Sequence, residues 1–90
     1  MWYTYVLFSL KSKRLYIGYT GDLRRRITEH NNLRGGNYTS KNAPFKLIHY
    51  EAFLEKVDAQ KQEIFYKSGY GREVLKGKIK NSLEFIKKDL

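Results

Sequence analysis

Ninety residues with 41% hydrophobic content, one proline and no cysteine are enough for one modest core, and they exclude both a disulfide framework and a cysteine-ligated metal. A formal net charge of +9, from 18 Lys+Arg against 9 Asp+Glu, points to a polyanionic partner. No run of roughly 18 apolar residues offers a membrane span, and no basic segment followed by an apolar run suggests a signal peptide, so a single cytoplasmic domain over residues 1–90 is expected, with no membrane partner.

In chain order, Trp2 to Phe8 is dense in aromatic and β-branched residues and reads as a strand. Leu10 to Lys13 is a polar loop and Arg14 to Thr20 a second strand, so the short connection predicts an antiparallel hairpin. Gly21 breaks the strand, Asp22 is an N-cap, and a helix is expected from Leu23 to about His30, stopped by a left-handed Asn31. Residues 32–45 contain glycine, asparagine and proline and read as a loop. Lys46 to Phe53 is a third strand. Asp58 is expected to cap a helix reaching Ser68 or Tyr70, ended by Gly69 and Gly71. A weaker helical segment follows from Arg72 to Leu83, split by Gly77. The order ββαβαα predicts an α+β fold: a small three-stranded antiparallel sheet flanked by helices.

The charge is uneven. From Lys11 to Lys46 there are nine basic and two acidic residues, net +7; from Leu47 to Leu90 there are nine and seven, net +2. Eight tyrosines interleaved with these cations are the mixture that holds phosphates and stacks bases, so a nucleic-acid partner is expected ahead of a merely solvated basic face.

Four places carry candidate chemistry. If Ser9 pairs with Arg14, then Tyr5 and Tyr16 lie on one face of the hairpin as diagonal neighbours, with Gly18 beside them leaving room for a backbone or a phosphate. In the first helix Leu23 and Ile27 mark the buried stripe. Arg24 and Arg25 project away from it, solvated or touching phosphate without selectivity. Arg26, at the stripe's border, offers a guanidinium fork for a phosphate oxygen. His30, four residues on, is either a catalytic imidazole or a histidine with a purely structural place at the helix end. Glu63 falls on a helical wheel among Ala59, Tyr66 and Tyr70; a carboxylate there holds a cation, is paired with Arg26 or a lysine, or sits at the rim. Magnesium suits the first option because it keeps several waters and needs few protein ligands. Neither phosphate-cradling glycine pattern is present, and nothing resembles a nucleophile elbow.

Taken together these residues resemble the GIY-YIG nuclease family, in its small single-domain branch, over roughly residues 2–67. Tyr3-Thr4-Tyr5 stands where the family has Gly-Ile-Tyr, Tyr16-Ile17-Gly18 matches Tyr-Ile-Gly, Arg26 stands at the family's helix arginine, and Ala59 to Glu63 fits the segment bearing its metal-binding glutamate. The resemblance implies a metal-dependent endonuclease acting on phosphodiester bonds, DNA favoured, leaving a 5′-phosphate and a 3′-hydroxyl. It implies Tyr16 as general base, Tyr5 as its polariser or relay, Arg26 on the scissile phosphate, and Glu63 holding one Mg²⁺, with Mn²⁺ a possible substitute. His30 joins the expected catalytic set. Tyr19, Arg24, Arg25, Arg34, Tyr38 and Lys41 are expected to contact nucleic acid; Tyr19 stands where some relatives have lysine. With no appended specificity domain visible, the alternatives are weak binding, shape-directed binding, or selectivity supplied by a protein partner or a homodimer. The competing readings are a non-catalytic nucleic-acid-binding module on the same scaffold and an RNA-associated basic protein.

Overall fold

Trp2–Ser9 becomes β1, and its aromatic and β-branched residues take the centre of a three-stranded antiparallel sheet. The computed structural model describes residues 1–32 and 42–88. β2 (Leu15–Thr20) and β3 (Phe45–Phe53) flank β1 in the order β2-β1-β3. Helix α1 (Leu23–Asn31) joins β2 to the segment before β3. After β3 the chain forms α2 (Lys56–Lys67), α3 (Gly69–Lys78) and α4 (Lys80–Lys88). The expected ββαβαα order and α+β class are therefore those of the structure, with the last predicted helical segment divided in two.

β1 is buried from Thr4 through Ser9 without alternation, because both faces of this central strand are covered. Tyr5, Leu7 and Phe45 form a cluster on one face, closed by Leu23 and Ile27 of α1. On the other face Val6 packs with Tyr66, Leu75 and Ile79 of the C-terminal helices. Thr4 Oγ1 donates to the Ala59 carbonyl at 2.8 Å and fixes α2 to the strand. The hairpin register is the predicted one: Ser9 N–H donates to the Arg14 carbonyl, Tyr5 faces Gly18, and Tyr16 faces Leu7. In the tight connection Lys13 takes φ 63°, a left-handed conformation that an L side chain adopts at a cost.

Several predicted boundaries move, each for a local reason. Asp22 caps α1 as expected, accepting from Arg25 N–H at 3.1 Å. Asn31, however, is helical, and the helix closes on Asn32 with φ −93°. The Asn31 side chain is used elsewhere: its amide accepts from Phe45 N–H at 2.6 Å and donates to the Phe45 carbonyl at 3.2 Å, tying the end of α1 to the start of β3. α2 begins after Glu55, leaving Asp58 in its first turn rather than at its cap. Ser68 ends α2 and caps α3 by accepting from Gly71 N–H. Gly69 and Gly71 thus open the next helix. At Gly71 a Cβ would collide with the Phe65 carbonyl group, so the glycine is a steric necessity of the α2–α3 corner. The last break falls at Ile79, whose side chain is in the core, and not at Gly77, where a side chain's Cβ would meet nothing within 4 Å among the described residues.

Candidate functional site

A broad groove runs along β2, an outer strand of the sheet among the described residues, walled on one side by α1 and on the other by α2, α3 and α4. Among the described residues it is lined by nine lysines and arginines against three carboxylates, Asp22, Glu29 and Glu63. Tyr5, Tyr16, Tyr19, Arg25, Arg26, His30 and Glu63 all line it. The fold thus gathers into one place residues that span nearly sixty positions of sequence.

Gly18 makes the arrangement of Tyr5 possible. A Cβ at position 18 would sit 2.6 Å from Tyr5 Cζ, so the absent side chain admits the phenol of the neighbouring strand. The ring reaches across β2 and places its hydroxyl against α1. There Tyr5 Oη lies 3.1 Å from His30 Nε2, and Arg26 Nε–H donates to it at 3.4 Å. Tyr16, diagonal to Tyr5, packs edge-on against Phe45 with ring centroids 5.2 Å apart, and Phe45 in turn packs against His30.

The electrostatics of this cluster follow from its depth. Tyr5 is 4% exposed, and burial pushes its phenol above the ordinary value of 10.0 despite the nearby Arg26 charge; Glu63 and Glu29 push the same way. Tyr5 is therefore a neutral phenol at physiological pH. His30 is also 4% exposed, and burial, aided by Arg26, lowers its pKa, so the imidazole is neutral too. Its Nδ1 is buried with no partner among the described residues. An orphaned N–H costs more than an orphaned lone pair, which favours the tautomer with the proton on Nε2. That proton then points at Tyr5 Oη. With His30 and Arg26 both donating to its oxygen, Tyr5 is left to direct its own O–H outward.

Glu63 projects from α2 into the same groove with its side chain 19% exposed, paired at 3.4 Å with Lys67. A lysine partner is one of the options the sequence leaves open. The donor chemistry fits a hard divalent cation held by one carboxylate, with water and phosphate oxygens completing its shell. Among the described residues no cluster of three or more His, Cys, Asp or Glu could hold a metal alone. No helix there is long and apolar enough to cross a membrane.

The other predicted contacts divide. Arg25 lines the groove, 3.8 Å from Glu29. Tyr19 Oη accepts from Gln60 Nε2 at 3.0 Å, with its ring beside Trp2. Arg24 lines a separate concavity with Tyr3, Thr28 and Tyr50. Arg34, Tyr38 and Lys41 lie outside the described residues. Sequence reasoning passed over Lys13 and Arg14 of the hairpin, Lys56 beside Trp2, and the C-terminal cations Arg72, Lys76 and Lys87. For Arg72 and Lys76 the available signal was their i, i+4 spacing.

Residues 1–78 match the GIY-YIG catalytic domain. The chain belongs to the GIY-YIG family. It is similar to a UPF0213 protein of Clostridium perfringens, 42% identical over 65 residues that cover 72% of this chain and 69% of the relative. A second UPF0213 protein, from Pediococcus acidilactici, is 40% identical over 76 residues, covering 82% and 76%. The solution NMR structure of a Bacillus halodurans UPF0213 protein superposes with a TM-score of 0.50 at 37% identity, covering 83% of this chain and 82% of that one. The GIY-YIG domain is a nuclease-type fold whose members are generally metal-dependent. Where this chain departs from the Gly-Ile-Tyr motif, the substitutions have structural partners. Thr4 is buried and bonded to Ala59, and Tyr3 packs edge-on against Tyr50 at 5.9 Å. The third position, Tyr5, is kept at the centre of the groove.

Proposed function

We propose that this chain is a metal-dependent endonuclease hydrolysing nucleic-acid phosphodiester bonds, DNA favoured. The observation that carries the reading is the Tyr5–His30–Arg26 cluster seated under Gly18 in a groove rich in cations, with Glu63 on its opposite wall. A protein that only bound phosphates would gain nothing from a carboxylate facing them.

In this reading Arg26 and the outward Tyr5 hydroxyl bind the non-bridging oxygens of the scissile phosphate and stabilise the charge that grows there. Tyr16, as the phenolate, accepts a proton from the attacking water as the water oxygen bonds to phosphorus, and afterwards loses that proton to solvent. The bond to the 3′-oxygen breaks, and that oxygen takes a proton from solvent, leaving a 3′-hydroxyl and a 5′-phosphate. His30 is a positioning residue that holds Tyr5. Glu63 would hold the cation, Mg²⁺ or Mn²⁺, displacing Lys67; that cation supplies charge neutralisation at the phosphate and favours ionisation of nearby acids.

The test is cleavage of labelled single-stranded, duplex, flapped and four-way DNA, and of RNA, with Mg²⁺ or Mn²⁺ and with EDTA, beside the Glu63→Gln protein. Metal-dependent cutting that Glu63→Gln abolishes is the expected result. Cutting that survives the substitution would remove Glu63 from the mechanism. Salt-sensitive binding without cutting by the wild type would favour a binding module on this scaffold.

A further inference from the structure

Apart from Glu63 on α2, the wall of the groove opposite α1 is not needed for the chemistry above, yet its α3 and α4 portion carries a row of cations. Arg72 and Lys76 of α3 are i, i+4 neighbours and both line the groove. Leu83 and Lys87 of α4 repeat that spacing and also line it. Arg72 and Lys87 have no ion-pair partner among the described residues, and Lys76 has only Glu73 at 3.9 Å, a carboxylate that is itself 75% exposed. A solvated pair of that kind holds a lysine weakly. α4 begins at Lys80, beyond the residues that match the family domain.

We propose that Arg72, Lys76 and Lys87 form a second phosphate-binding bank, which holds the nucleic-acid backbone on the side of the groove away from Arg25 and Arg26. This deepens the reading of the groove as a nucleic-acid interface and rests on it. Two banks across one groove let the substrate be gripped on both sides of the reacting phosphate. Each phosphate that the bank neutralises releases condensed counterions, so its contribution is read directly from the salt dependence of binding. Nothing in the bank selects a base, so its grip is on the backbone and independent of sequence.

The experiment is equilibrium binding of a fluorescent DNA duplex, its single strand and an RNA of the same sequence, in EDTA so that no cleavage occurs, across a salt series. Wild type is compared with Arg72→Gln/Lys76→Gln/Lys87→Gln and with a charge-matched variant outside the groove, Lys61→Gln/Lys80→Gln/Lys88→Gln. The groove variant should lower the slope of log K against log salt by about 2–3 on duplex and by about 2 on single strands, and weaken binding roughly 10–100-fold at 0.15 M salt. The substrate showing the larger loss identifies the backbone that the bank holds. Equal losses in the two variants, or an unchanged slope in the groove variant, would overturn the bank. Failure of hydrolysis is separable: a wild type that binds in EDTA with the expected slope but never cuts leaves the bank standing.

Discussion

Two tyrosine-centred polar clusters lie on the two sides of this small sheet, and they are built on opposite terms. Behind the sheet, the Glu51 carboxylate accepts from Tyr66 Oη, from Gln62 Nε2 at 2.8 Å and from His49 Nε2 at 2.8 Å; Lys78 Nζ stands 3.7 Å away and also donates to Tyr66 Oη at 2.8 Å. Burial alone would raise the Glu51 pKa, but the Tyr66, His49 and Gln62 hydrogen bonds and the Lys78 charge together hold it below the ordinary carboxylate value. Tyr66 both donates to Glu51 and accepts from Lys78, which itself stands beside Glu51, so these three groups close a ring. In the groove, by contrast, Tyr5 Oη meets only His30 Nε2 and Arg26 Nε, and the His30 Nδ1 has no partner, among the described residues. A closed network stabilises a fold. An open one keeps hydrogen-bonding capacity for something that arrives later, and that is the side to which the proposed chemistry is assigned.

The sharpest way to break this comparison is to remove one hydroxyl from each side of the sheet, Tyr16 on the groove side and Tyr66 behind it. Tyr16→Phe should lower turnover about 10²–10⁴-fold with stability within about 1 kcal/mol. Tyr66→Phe should do the reverse, costing about 1–3 kcal/mol in denaturant unfolding while single-turnover cleavage stays close to wild type. A Tyr66→Phe protein that is stable but inactive would merge the two clusters into one. Next in size, Glu51→Ala strands Tyr66, Lys78 and Gln62 around a lost carboxylate and should cost about 3 kcal/mol, seen as a drop in Tm of roughly 12–24 °C. Gly18→Ala should cost about 1–3 kcal/mol through overpacking against Tyr5, and cleavage should fall further than that loss accounts for, because the phenol is displaced.

The smallest effect expected is one of pH. His30 has a folded pKa below 6.5, so the unfolded chain takes up its proton first. Stability from this group is full above pH 6.5 and falls as pH drops toward the folded value. Glu51 is also depressed, and its contribution is lost only below the ordinary carboxylate range. Lys78 and Tyr66 are raised, so theirs is lost as pH climbs past 10. Unfolding free energies between pH 5 and 7 should therefore slope upward in the wild type and flatten in His30→Phe. A slope that survives the substitution would mean that His30 is not the titrating group.

Much of this was legible because local signals agreed. Hairpin register, the Asp22 cap and the placing of Tyr5 with Tyr16 followed from alternation and loop length, which depend on near neighbours alone. The Glu51 cluster was invisible for the opposite reason. Its members lie on β3, α2 and α3, and nothing in the spacing of His49, Glu51, Gln62, Tyr66 and Lys78 says that they meet. Asp58 looked like a cap because side-chain chemistry favours it there, but the strand exit fixed the helix start three residues earlier. Gly69 and Gly71 read as helix stops, since composition does not distinguish a glycine that ends a helix from one that lets two helices meet at a tight corner. The groove's far wall was missed because helix packing, not sequence, turned Arg72, Lys76 and Lys87 toward β2.

The groove follows an open strand edge, and this has a consequence for handling the protein. Among the described residues β2 has β1 on one side and no strand on the other, and such an edge invites pairing with a second chain. Lys13 and Arg14 at its start and the cations facing it keep like-charged copies apart. The residues that attract phosphate therefore also guard against self-association. Variants that neutralise them should be assayed for solubility before any loss of binding is attributed to the missing contact, and moderate salt, by screening the repulsion, should bring such variants closer to aggregation than the parent.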